Sequence, residues 1–304
     1  MTDSPYQFTI IHTTIYSYVS PRQSSVMVLC MKPRHNEYQT LVEYELRVNP
    51  DTFIAQDTDY FGNVHHLFDL HRPHSHLTVS SIAKVQVLDR TEVLNIGPPC
   101  SWSDVHPLES SIKYWDFLQP TDLTSTKVDL DQWLSEQGGI DYSDPFAFLK
   151  SLERRLSQVI EYRPGSTTID TTVDELLRRH EGVCQDISQL MIAIARSRGI
   201  PARYMMGYLY ENPGETRRIV DNATHAWVEC FLPEFGWYPF DPTNPDTPSG
   251  SRVNVAFGRD YRDVPPTKGV SIGDGDATMD VNVSVFRDEY QGSTQVQEQS
   301  VMFS

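Results

Sequence analysis

The sequence predicts an α+β protein, and three observations carry that expectation. Residues 6 to about 90 show β patterning, helical spacing takes over from about residue 143, and strand patterning returns after Gly199. Antiparallel strands at both ends of a helical stretch fit a sheet domain followed by a helix-on-sheet unit.

The first β segment, Tyr6-Gln-Phe-Thr-Ile-Ile-His-Thr-Thr-Ile-Tyr-Ser-Tyr, is rich in β-branched and aromatic residues, which suit a pleated, half-buried surface. Val42-Glu-Tyr-Glu-Leu-Arg-Val and Leu77-Thr-Val-Ser-Ser-Ile-Ala-Lys-Val-Gln-Val-Leu alternate at period two. Ser20-Pro21, Asn49-Pro50-Asp51 and Phe61-Gly62-Asn63 punctuate them as turns. Residues 1–95 therefore read as an antiparallel, sandwich-like β domain. Ile96-Gly-Pro-Pro-Cys-Ser-Trp-Ser-Asp-Val-His-Pro interrupts the pattern and opens a linker, 96–142, into a core over 143–272.

In the core, Ser143-Asp144-Pro145 starts a helix, and Phe146, Leu149, Leu152, Leu156, Val159 and Ile160 recur at three- and four-residue steps. A second helix fits Thr172–His180, where Thr172 and Glu175 form a capping box. A third starts near Cys184, carries Ile187, Leu190, Met191, Ile194 and Ala195 on one face, and stops at Gly199 and Pro201. Strands follow over Ala202–Tyr210, His225–Leu232 and Trp237–Asp241, with a polar loop, Glu211–Asn222, between the first two. Residues 273–304, ending in Gln291-Gly-Ser-Thr-Gln-Val-Gln-Glu-Gln-Ser, read as a loosely ordered tail.

Lys+Arg of 25 against Asp+Glu of 41 gives a net charge of −16, which repels phosphate backbones and anionic headgroups, so nucleic acid and membranes are not expected partners. The N-terminus shows no basic and apolar leader, and no apolar run of about 18 residues occurs, so a cytoplasmic location is expected. The four cysteines (Cys30, Cys100, Cys184, Cys230) form no CxxC pair or zinc spacing and are expected as free thiols, three inert and one reactive.

Local sequence selects Cys184. Gly182-Val-Cys-Gln-Asp-Ile puts it at a helix N-terminus after a glycine-containing turn, where free N–H groups and the helix dipole favour a thiolate and an oxyanion. His225 heads a strand in Asn222-Ala-Thr-His-Ala-Trp-Val-Glu, beside a long loop, where an imidazole can take and return a proton. Asp241 ends the next strand in Trp237-Tyr-Pro-Phe-Asp-Pro-Thr, within reach to orient that imidazole. The order of thiol, imidazole and carboxylate on a helix and a hairpin is more specific than any one member.

These motifs resemble the transglutaminase-like superfamily, in its bacterial branch of cysteine proteases. Tyr162-Arg-Pro-Gly, Arg198-Gly-Ile-Pro-Ala-Arg-Tyr and Gly258-Arg-Asp-Tyr-Arg-Asp-Val-Pro-Pro extend the likeness. Asp59-Tyr-Phe-Gly-Asn and Pro73-His74 extend it to the accompanying N-terminal β domain. The resemblance implies a papain-like core whose Cys-bearing helix packs on an antiparallel sheet carrying His and Asp. It also implies Cys184, His225 and Asp241 as the catalytic triad, cleaving or transferring peptide or side-chain amides through a thioester, with hydrolysis favoured. Gln185 is a candidate oxyanion donor and Trp227 a candidate wall of the cleft. The expected partner is a peptide or protein amide, no cofactor is expected, and the oligomeric state is open. The alternative is a catalytically silent scaffold on the same fold. His65, His66, His71, His74 and His76 crowd together without zinc spacing, so no metal is expected there.

Overall fold

The computed structural model describes residues 5–89, 100–210, 224–233 and 235–288. Its first six strands are β1 (Tyr6–Arg22), β2 (Ser24–Leu29), β3 (Gln39–Asn49), β4 (Ile54–Thr58), β5 (Val64–Leu70) and β6 (His74–Val87). Helices follow: α1 (Trp102–Val105), α2 (Leu130–Gln137) and α3 (Pro145–Val159). Then come β7 (Glu161–Tyr162), α4 (Val173–Arg179), β8 (Glu181–Gly182) and α5 (Cys184–Ser197). The remaining strands are β9 (Ala202–Leu209), β10 (His225–Leu232), β11 (Gly236–Phe240), β12 (Arg252–Gly258), β13 (Thr267–Ile272) and β14 (Ala277–Asp288).

The α+β expectation holds. Two antiparallel sheets, β14-β1-β6-β3 and β13-β2-β5-β4, form the N-terminal sandwich, and a third, β11-β10-β9-β12, carries the core. Along β6 every second side chain from Leu77 is buried, as alternation requires. Met27, Leu29, Phe68, Leu70, Leu77 and Val79 fill the space between the first two sheets. The other end of the first sheet (Phe8, Ile10, Val85, Val87) packs into the same apolar cluster as α3, α5 and the core sheet. The first sheet of the sandwich thus packs into the core cluster at one end and into the cluster between the two N-terminal sheets at the other.

The C-terminal expectation is corrected. Residues 273–304 are not uniformly a tail, because β14 pairs with β1 from Gln7↔Asp288 to Tyr18↔Ala277. β13, placed in the core by its position in the chain, pairs instead with β2 from Leu29↔Thr267 to Ser24↔Ile272. Both strands return to cover edges of the N-terminal sheets, which satisfies their backbone groups. The stretch Gln291–Ser300 lies outside the described residues.

The linker expectation is corrected as well. Ile96–Pro99 lie outside the described residues, but 100–142 carries α1, two 3₁₀ turns and α2, with Val105, Tyr114, Phe117, Leu123, Trp133 and Leu134 buried. That segment lies over α5. As a result α5 is buried nearly all round, Ile192, Ala193, Ser188 and Gln189 included, rather than on the one face its spacing suggested. Arg196, at its end, donates to the carbonyls of Phe117, Gln119, Ala202 and Arg259 and so ties the segment to the helix. Burial lowers its pKa to about 10, which still leaves it charged at neutral pH.

The helix starts are as expected. Asp144 caps α3 by accepting from the Ala147 N–H at 2.8 Å, and Thr172 and Glu175 close the capping box of α4. No helix among the described residues is long and apolar enough to cross a membrane.

Candidate active site

The entry to α5 is built around Gly182. A Cβ there would meet Leu176 Cδ1 at 2.7 Å and Asp186 Oδ2 at 3.1 Å, so only glycine lets the chain turn this closely into the helix. Val183 is the N-cap and cannot cap with its own side chain. Asp186, three residues on, accepts from the Val183 N–H at 2.9 Å and from Thr167 Oγ1 at 2.7 Å instead. The N–H groups of Asp186 and Ile187 both point to the Val183 carbonyl. Those of Cys184 and Gln185, in the first turn, have no acceptor within the helix. Cys184 sits at that end, 9% exposed.

β10 and β11 bring the partners in. Trp227 lies two residues after His225 on the same strand face, and the two rings stack at 6.1 Å and 27°. The strands pair from Val228↔Phe240, so Asp241, one residue past β11, comes beside that face. His225 Nε2 donates to Asp241 Oδ2 at 2.8 Å, with both side chains fully buried. His225 Nδ1 is buried without a hydrogen-bond partner, and Cys184 lies close enough to act on the imidazole. Burial alone would lower the imidazole pKa. The Asp241 charge and hydrogen bond, then Cys184, override it and raise the pKa to about 10. Burial likewise works to raise the pKa of Asp241, but His225, Arg252 and the Asn244 N–H hold it below the ordinary carboxylate value.

Asp241 is itself held from three sides. The Thr243 and Asn244 N–H groups donate to its Oδ1 at 3.1 and 3.0 Å, and Arg252 Nε lies 4.0 Å from its Oδ2. Its own N–H donates at 2.6 Å to Glu153 Oε1, while Lys150 Nζ is bonded to the other Glu153 oxygen. Glu153 is not among the residues that the apolar spacing of this helix singles out. A buried carboxylate aimed at a strand end leaves no mark in helical spacing, which is why this buttress is invisible before the fold is known.

A cavity of about 470 Å³ opens in front of Cys184 and His225. Tyr204, Met206 and Ala226 lie under it, with Tyr162, Pro164 and Ile169 beside the helix end. The other side comes from the N-terminal sandwich through His12, Thr14, Met279 and Val281. His12 Nδ1 is hydrogen-bonded to Tyr208 Oη at 3.0 Å and Nε2 to Thr14 Oγ1 at 3.3 Å. Burial lowers its pKa to about 4, so it stands neutral. A second cavity, about 420 Å³, lies at the far end of α5 around Leu118, Val128 and Arg196. No thiol or imidazole lines it, and its Arg196 is engaged by carbonyls, so the chemistry belongs to the first.

Cys184, His225 and Asp241 are thus brought together. Gln185 also lines the cavity, but its side-chain Nε2 donates to the Ile169 carbonyl at 3.2 Å, away from a role as an oxyanion donor. Trp227 is corrected. It is fully buried and borders a small space with Tyr38, Gln39 and Leu88, because the sandwich covers the face that the parity of β10 gives it. Arg203 and Tyr208 lie outside the cavity lining. Arg203 pairs with Glu229 between the Trp237 and Phe257 rings, and Tyr208 supports His12. The histidines of the sandwich have separate partners: His65 bonds to Asp59, His66 stacks on Tyr44, and His74 bonds to Ser25 and the Arg72 carbonyl. The Glu211–Asn222 loop lies outside the described residues.

A thiol at a helix start near an imidazole that a buried carboxylate orients defines a class of thiol-bearing α+β sites; comparison with known proteins bears on the family and the fold. Residues 137–242 match the transglutaminase-like superfamily and residues 8–86 match the bacterial transglutaminase-like N-terminal region. An uncharacterised protein of Mycobacterium leprae is 31% identical over 93% of this chain and 99% of its own length. One from Mycobacterium tuberculosis is 30% identical over 92% of each. A protein-glutamine gamma-glutamyltransferase of Pseudomonas aeruginosa is 32% identical over 34% of this chain and 16% of its own. A crystal structure from Cytophaga hutchinsonii, provisionally called a cysteine protease, superposes with a TM-score of 0.76 over 97% of this chain and 95% of that one, at 20% identity. The chain belongs to the transglutaminase-like superfamily, in the bacterial form that carries this N-terminal region. At family level it is a cysteine-dependent enzyme.

Proposed function

We propose that the protein cleaves peptide or side-chain amides through a thioester on Cys184, with His225 as acid–base and Asp241 as the group that orients it. The observation that carries this is the buried His225–Asp241 pair, 2.8 Å apart, with a thiol at a helix N-terminus close to the imidazole. His225 Nδ1 takes the thiol proton and the thiolate sulfur attacks the amide carbon. The oxyanion is met by the Cys184 and Gln185 N–H groups, which have no acceptor in the helix. As the C–N bond breaks, the imidazolium returns the proton to the leaving nitrogen, giving a free amine and an acyl-thioester. Water, deprotonated by the same imidazole, then attacks the thioester, releases the carboxylic acid and restores the thiol.

Hydrolysis is favoured over transamidation, because among the described residues no carboxylate lines the cavity to receive a cationic amine. With four free thiols, the protein is assigned to a reducing compartment such as the cytoplasm. The test is acid-quench mass spectrometry during turnover of a peptide amide. An acyl mass on the Cys184 peptide, lost to water and only partly diverted by added amine, is expected. An acyl group on another residue, or a product that is wholly amine adduct, contradicts the reading.

A further inference from the structure

Resting on that thiol chemistry, we infer that the acyl donor places an uncharged, mainly apolar side chain against the wall formed by β1 and β14, so that the N-terminal sandwich sets selectivity. The wall is a sheet face in register. Thr14 lies opposite Val281, Tyr16 opposite Met279 and His12 opposite Val283. Residues two apart on a strand face the same way and paired residues share a face, so His12, Thr14, Met279 and Val281 form one surface, and all four border the cavity that holds Cys184. Tyr16 Oη donates to Thr267 Oγ1 at 2.8 Å and pins the start of β13 at the cavity rim.

The chemistry of that surface is specific. Among the described residues lining the cavity there is no Asp, Glu, Lys or Arg. The polar members of the wall are already paired, His12 with Tyr208 and Thr14, and burial keeps His12 neutral. A charged side chain entering here gives up water, and the one charged group among the described lining residues, His225, is already paired with Asp241, whereas Met279, Val281, Met206 and Ile169 offer apolar contact. Met279 stands at the mouth, 56% exposed, while His12 and Thr14 are 1% exposed at the back. A group seated here therefore meets an apolar rim first and a satisfied polar back wall last.

The test uses the full chain and four peptidyl chloromethyl ketones that differ in the residue next to the ketone: Leu, Phe, Lys or Glu. Each rate of Cys184 alkylation is divided by the iodoacetamide rate of the same protein. The expected result is Leu and Phe above both Lys and Glu by about 100-fold, the scale of an unpaired charge in a cavity that is still partly open. Met279→Glu is expected to raise the Lys reagent about 10-fold relative to Leu, and Met279→Lys to raise the Glu reagent similarly, since one fixed charge at the mouth supplies the missing partner. Equal rates for charged and apolar reagents, or ratios untouched by both Met279 variants, overturn the inference while leaving the thiol chemistry intact. If none of the four labels Cys184, the thiol chemistry itself falls, and the selectivity wall with it.

Discussion

Replacing Cys184 by alanine is expected to lower amide turnover by at least about 10⁴-fold, with the fold retained. The change removes one sulfur from a helix start whose entry is held by Gly182 and Asp186, not by the thiol. No other cysteine can substitute. Cys30, Cys100 and Cys230 are at most 1% exposed and absent from the cavity lining. Burial pushes the Cys30 thiol up to about 12 and Cys230 still higher, so neither supplies a thiolate near neutrality. What remains in the variant is a set of N–H donors without a nucleophile, which leaves only the slow attack of water. Steady-state turnover of a chromogenic peptide amide measures this. Retention of a tenth of wild-type activity would move the nucleophile elsewhere.

Asp241→Asn is expected to cost about 10²- to 10⁴-fold in kcat, with a smaller change in KM. The side chain keeps its shape and loses its charge, so the buried imidazole loses the partner that offsets burial. With that partner gone, its pKa falls from about 10, and the imidazolium that steadies a thiolate is lost at lower pH. The alkaline limb of the pH–rate profile should therefore move down in the variant. An unchanged limb would contradict the assignment of Asp241. The stability signs follow from the same shifts. His225, held high, contributes stability below its unfolded value and loses it as pH rises through about 10. Asp241, held low, contributes above its unfolded value and loses it as pH falls through its depressed one. The pair therefore stabilises the protein across the neutral range.

Much of this site was legible because its signals are local. A glycine before a helix start, a histidine at the head of a strand and an Asp-Pro-Thr turn each show in a few residues. Their order on a helix and a hairpin brought Cys184, His225 and Asp241 together before any coordinates. Gln185 and Trp227 were harder. Adjacency to Cys184 could not say that the Gln185 amide would turn to the Ile169 carbonyl. Parity correctly puts Trp227 on the His225 face, but not which layer covers it.

The cavity wall was out of reach for a different reason. Met279-Asp-Val-Asn-Val-Ser-Val alternates at period two but falls in the stretch read as a loosely ordered tail, and its partner β1 lies more than 250 residues earlier. Pairing at that separation leaves no trace in local composition. His12 and Thr14 likewise looked like ordinary strand residues until β14 and the core closed around them. The segment over α5 was missed because prolines and scattered aromatics mark no period, although Tyr114, Phe117 and Trp133 are buried there.

The central claim is that Cys184 is the reactive thiol of this chain, and competitive alkylation tests it most directly. Iodoacetamide at mildly acidic pH, followed by peptide mapping, should label Cys184 at least about 10-fold faster than Cys30, Cys100 or Cys230, since only Cys184 borders the cavity and lies close to an imidazolium. Labelling of Cys184 no faster than the other three would contradict it.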